Sequence, residues 1–220
     1  MLQPATFQFL QGVKENNSRD WFLEHKAQFE VAKQDVLDLA KQLIPGIAAF
    51  DPTIPADLDP KICVMRIYRD VRFSKDKRPY KENFAIAISA KGKNFDGPGY
   101  YLHIHPKNAF LAGGCWMPQS NELKAIRQEI DYNGDEFRSI VKDPEFERYF
   151  GGLNTTETLK TVPKGYEADH PDIHWLKLKS FTADHALSVD DLVKAAAVQN
   201  LVAGFQKLYP FMCFLRNALS

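Results

Sequence analysis

Seven cations crowd one short stretch of this chain. Arg66, Arg69, Arg72, Lys75, Lys77, Arg78 and Lys81 fall within sixteen residues. Two acids, Asp70 and Asp76, stand among them, so positions 66–81 carry a formal +5 (7 − 2). The whole chain balances, with 28 basic and 28 acidic residues. A local excess in a neutral protein marks a place that favours anions: phosphate, carboxylate or nucleic-acid backbone. Arginine suits a planar, bidentate grip on such groups better than lysine does. A second set lies at 100–106, YYLHIHP, where Tyr101, His103 and His105 alternate. Phenol and imidazole can hydrogen-bond an anion or move a proton.

Other chemistry is less well supplied. His103 and His105, taken with His170 and His174, would give four imidazoles for a transition metal. Their spacing matches no metal motif and Pro171 disturbs the second pair, so no metal site is expected. Cys63, Cys115 and Cys213 form no CxxC pair, which argues against a disulfide framework and fits a reducing cytosol. Cys115 reads as a small buried hydrophobe rather than a nucleophile. Gly113-Gly114 matches no phosphate loop and is expected to mark a bulge or a close backbone approach.

These residues need elements to hold them. Thr6 is placed to cap a short N-terminal helix, and Ser18 a longer one. The longer helix carries Phe22, Phe29, Ala32, Val36, Leu39 and Leu43 on one face and is expected to end at Pro45-Gly46. From Lys61 the period changes to two. Segments 61–73, 83–90 and 100–106 read as strands, with a further strand at 109–112. Helices follow at 120–131, from Asp135, from Pro144 and from Ser188, where Pro210 is expected to kink or break the last one. An alternating piece at 175–181 reads as another strand. The fold class is α+β: a single domain over 1–220, with a mainly antiparallel sheet flanked by N-terminal, middle and C-terminal helices.

If the three strand segments are neighbours, their apolar sets share the core face. The opposite face then joins Arg66, Tyr68 and Arg72 to Ala85, Ala87, Ser89, Tyr101, His103 and His105, a floor of small side chains beneath long polar ones. That is an anion pocket, or else a solvated or helix-covered sheet face. Lys75, Lys77, Arg78 and Lys81 form its mouth or a solvated turn. Tyr80 and Phe84 interleave aromatics with these cations, as single-strand nucleic-acid binders do.

The run RIYRDVRFSKDKRPYK resembles the signature of the uncharacterised family DUF2461. Asn16, Asn17, Arg19, Trp21 and Phe22, then Gly99-Tyr100-Tyr101-Leu102-His103, Gly113-Gly114 with Trp116, and Pro163-Lys164-Gly165-Tyr166 agree with it. Cys115 departs from a glycine common there. The resemblance covers nearly the whole chain and implies a soluble protein with no established activity, cofactor or substrate.

The expected function is therefore binding of a small phosphate- or carboxylate-bearing ligand. Its holders would be Arg66, Tyr68, Arg69, Arg72, Lys77, Arg78, Lys81 and His105. Tyr101 and His103 are the candidates for orientation or acid–base chemistry. The alternatives are a nucleic-acid-binding module using 66–81, and an interaction or structural protein whose arginines are internal ion-pair partners. No residue pattern decides for or against an enzyme or names a cofactor. No apolar run approaches a membrane span and no secretory signal opens the chain, so no membrane partner and a cytoplasmic location are expected.

Overall fold

A computed structural model of the protein describes residues 1–94 and 97–220. The N-terminal region is helical: α1 (Pro4–Glu15), α2 (Arg19–Glu24), α3 (Lys26–Ala48) and the single turn α4 (Pro60–Cys63). Ser18 does cap α2, accepting from the Trp21 N–H. Thr6 caps nothing. Pro4 takes the first turn of α1, and Thr6 is buried inside the helix, donating to Asp35 Oδ2 at 2.5 Å. The Gln3 N–H reaches the same carboxylate at 2.8 Å, so a side chain on α3 satisfies the start of α1. The long helix breaks at His25, whose ring binds the Trp21 carbonyl at 2.8 Å and stacks on the indole. It then runs through Pro45 instead of stopping there. The bond lost at Pro45 is outweighed by burial of Leu43, Ile44 and Ile47, each at most 1% exposed.

Four strands form one antiparallel sheet in the order β1-β2-β3-β4. They are β1 (Phe84–Ile88), β2 (Gly99–Ile104), β3 (Ala109–Cys115) and β4 (Phe181–Leu187). The expected strand at 61–73 is absent. Asp59 caps α4 with Pro60 at its first position, so 60–63 is a helical turn. Beyond it, two isolated antiparallel bridges join Val64 to Ile86 and Tyr68 to Tyr80. Three residues on one side (65–67) answer five on the other (81–85) between them, and that bulge interrupts the ladder. Segment 83–90 thus lies between 64–68 and β2. The alternating piece at 175–181 is also corrected. Residues 173–176 form the turn α8 (Ile173–Leu176), Leu178 bridges Thr158, and the strand proper begins at Phe181.

The remaining helices are α5 (Ser120–Tyr132), α6 (Gly134–Val141), α7 (Pro144–Phe150), α9 (Val189–Val193) and α10 (Ala197–Ala218). Pro144 opens α7 as expected. Ser188 caps a five-residue helix only, and α10 continues through Pro210 between the buried Leu208 and Phe211. No described helix is long and apolar enough to cross a membrane.

The described residues divide into two compact units. The first comprises 1–94, 101–111 and 186–203. Its core gathers Phe9, Phe22, Phe29 and Phe84, with ring centroids 5.0–6.4 Å apart. Each such buried ring contributes roughly 1.5–3 kcal/mol. The second holds α5 to α8, most of β4 and the C-terminal part of α10. Phe137 is its hub, against Trp175 at 5.1 Å and Phe214 at 5.0 Å. At Gly114 the backbone has φ +126°, and a Cβ would lie 2.0 Å from the Phe181 carbonyl oxygen. This is the close backbone approach the Gly-Gly pair foretold.

Candidate functional site

In the first unit, residues 67–69 and 79–81 close the stem of a hairpin whose loop carries most of the basic run. The Arg69 N–H donates to the Pro79 carbonyl at 2.9 Å, and the Lys81 N–H to that of Ile67 at 2.7 Å. Asn17 clamps the stem from outside. Its amide takes both the N–H and the carbonyl of Tyr80, each at 3.1 Å. Phe22 stacks on the Tyr80 ring at 4.0 Å, and Tyr68 packs against Tyr80 at 5.6 Å. The family-like Asn17 and Phe22 are thus the anchors of the basic loop.

Within the loop the acids are spent on arginines. Asp76 receives Arg69 at 2.6 Å and a fork from Arg78, whose other arm meets Glu82. Arg78, then Arg69, hold the Asp76 carboxyl well below the usual carboxylate range. Arg72 makes a two-point contact with Asp70, at 3.0 and 2.7 Å. Lys77 donates to the Val71 carbonyl at 3.0 Å. Of the seven cations, Arg66, Lys75 and Lys81 make no hydrogen bond through their charged groups and no ion pair among the described residues.

Two of those three stand together. Burial lowers the pKa of the Lys81 ammonium, and the neighbouring Arg66 lowers it further. Lys81 in turn acts on His103, whose pKa falls to about 4, first through burial, then through His105 and Lys81. His103 lies on β2 with its ring stacked on Phe110 at 4.8 Å and 11°. Its Nδ1 lies 3.2 Å from the Tyr101 hydroxyl and 3.5 Å from the Asn83 amide nitrogen. Burial raises the Tyr101 pKa, so the phenol keeps its proton and can donate. With donors at Nδ1, the imidazole proton sits on Nε2. His105 is set the same way. Its Nδ1 accepts the N–H groups of Lys107 at 3.0 Å and Asn108 at 3.1 Å. Its pKa is lowered by burial, then Lys14 and Lys107, while Glu82 opposes them.

The sheet face therefore divides the expected set. Lys81, Tyr101, His103 and His105 come together, with Arg66 beside Lys81. Arg69, Arg72, Lys77 and Arg78 are occupied inside the loop, and Tyr68 packs against Phe22 and Tyr80. The small-residue floor is not open: Ala85, Ala87 and Ser89 are 2%, 0% and 7% exposed. Tyr80 and Phe84, expected among the cations, are buried at 7% and 2%. Asn83 and Phe110 were missed. Nothing in their types marks them; only the pairing of strands brings them to His103.

The arrangement can hold an anion and donate to it from neutral imidazole. It is poorly suited to proton abstraction at neutral pH, because His103 binds a proton only near pH 4. Elsewhere, burial pushes the Cys115 thiol up to about 12, which removes it as a nucleophile. His170 is engaged with Asp131 at 3.0 Å and with the Asp172 N–H. No described group of three or more His, Cys, Asp or Glu is arranged to hold a metal ion.

The sequence pattern of a family described as "Conserved hypothetical protein (DUF2461)" matches residues 5–214. Among curated proteins, Protein pad-1 of Caenorhabditis briggsae is 25% identical over 129 residues, a match covering 47% of this chain and 6% of that protein. The chain thus spans a small fraction of that relative's length. No solved structure matches.

Proposed function

This chain belongs to the DUF2461 family of conserved hypothetical proteins, and from its geometry we propose that it binds a small phosphate- or carboxylate-bearing compound. One observation carries the reading. Arg66 and Lys81, which make no ion pair among the described residues in a loop where the other arginines do, act on each other, and Lys81 acts on His103. Arg66 also feels Asp70, but neighbouring like charges cost free energy, and an anion between them lowers that cost. Arg66 and Lys81 supply charge; the His103 and His105 Nε2–H groups supply directed hydrogen bonds. Tyr101, Asn83 and Phe110 fix the His103 tautomer and ring plane. If a reaction occurs, His103 acts as a neutral electrophile toward a ligand oxygen rather than as a base, a use of imidazole known where its pKa is depressed. Residence in the cytoplasm is part of this reading, supported by three cysteines that are all free.

Thermal shifts with phosphate, sulfate, sugar phosphates and dicarboxylates test it. A ligand at about a hundred times its Kd adds roughly 2.7 kcal/mol, a Tm rise of about 5–10 °C for a chain of this size. Arg66→Ala abolishes the shift. Without ligand it leaves Tm unchanged or higher, because it relieves the repulsion with Lys81. A flat response to every anion, or an Arg66→Ala protein that melts far lower, defeats the proposal.

A further inference from the structure

The outer edge of the basic hairpin has a second set of features that the anion site does not use. Phe73 is 95% exposed, more than any other large apolar side chain described, and Tyr68 on the same limb is 49% exposed. The Arg72 guanidinium lies over the Phe73 ring at 5.8 Å, and Phe73 makes no ring contact with any described residue. From 68 to 78 the loop has five cations and two acids, a formal +3 (5 − 2). Lys75 is exposed and makes no ion pair among the described residues. A lone exposed phenylalanine needs no explanation. Here, however, two exposed rings flank two arginines in the order Tyr68, Arg69, Arg72, Phe73 on a loop that is already ordered. Asp76 ties Arg69 to Arg78, Lys77 reaches Val71, and Asn17 holds the stem.

We propose that this hairpin edge is a docking surface for single-stranded nucleic acid, with bases stacked on Phe73 and Tyr68 and phosphates held by Lys75 and by the Nη1 arm of Arg72 that the Asp70 contact leaves unused. Stacking platforms interleaved with cations suit a strand whose bases are unpaired, whereas a duplex keeps its bases inside. Pre-ordering by the ion pairs lowers the entropic cost of docking. A membrane surface fits less well: Tyr68 lies in the stem, at the bridge to Tyr80, and a plane resting on the loop tip would leave that ring unused. The aromatics that the sequence offered for this role, Tyr80 and Phe84, are buried; the ones that face outward are Tyr68 and Phe73.

The test is fluorescence anisotropy with a labelled oligothymidylate, a duplex of equal length, and sedimentation with phosphatidylserine-containing vesicles. The full chain is compared with Phe73→Ala and Lys75→Glu; Arg66 and His103 are left in place, so a loss reports on this edge and not on the anion site. The single strand binds more tightly than the duplex. Two or three phosphate contacts weaken it roughly tenfold between about 50 and about 200 mM salt. Phe73→Ala weakens it about tenfold, within the range for a lost base–aromatic stack, and leaves Tm unchanged. Absence of single-strand binding at low salt, binding indifferent to Phe73→Ala, or vesicle binding in place of oligonucleotide binding each overturns the proposal.

Discussion

His103 should make the protein acid-labile in a window where no carboxylate contributes. Its imidazole titrates at about 4 in the folded chain against 6.5 for an unperturbed histidine. The unfolded chain therefore takes up a proton first. The stability associated with neutral His103 is complete above pH 6.5 and is lost as pH falls toward 4. From about pH 7.5 to about pH 5 the full shift would remove ~2 kcal/mol, at 1.36 kcal/mol per unit. The ring is only partly buried, and solvent screening cuts this to ~1 kcal/mol. His105 and His174 are also lowered, but they are present in a His103→Gln variant and largely cancel in the comparison. The depressed Asp70, Asp76 and Asp191 carboxyls lose their contribution only below pH 3.8, and Glu145 only below pH 4.5. Urea unfolding of wild type and His103→Gln at several pH values between these limits is the assay. The wild-type advantage should shrink by ~1 kcal/mol as pH falls to 5. A gap that stays constant over that range would refute the assignment of a buried, neutral imidazole.

Two further outcomes follow from local geometry. Asn17→Ala leaves the N–H and carbonyl of buried Tyr80 without their partners; it should cost ~2 kcal/mol and speed amide exchange across 67–81, and unchanged exchange there would mean the stem holds without its clamp. Gly114→Ala sets a Cβ 2.0 Å from the Phe181 carbonyl oxygen at φ +126°; it should cost ~3 kcal/mol or more in chemical unfolding, and a loss under ~1 kcal/mol would show that β3 can move away from β4.

The sequence by itself determined what depends on neighbours in the chain. The stripe from Phe29 to Leu43 is buried as a helix face because a 3.6-residue period needs only one apolar partner surface. Ser18 and Pro144 act where they stand because capping is decided within four residues. The alternation read at 100–106 and 109–112 appears as β2 and the start of β3, buried on one face and half-buried on the other. What needed partners distant in the chain was decided only by the tertiary structure. Segment 61–73 alternates like a strand, yet a bulge opposite it leaves two bridges and no ladder. Pro45 and Pro210 are helix breakers in isolation, but the apolar residues around them are buried and the helices continue. Seven cations in sixteen residues read alike as a list. Which of them keep free charge depends on where Asp70, Asp76 and Glu82 fall in space, since an ion pair is set by distance across the loop and not by spacing along it. The same holds for the aromatics. Tyr80 and Tyr68 face each other across one bridge, and the packing of Phe22 determines which ring is buried and which meets the solvent.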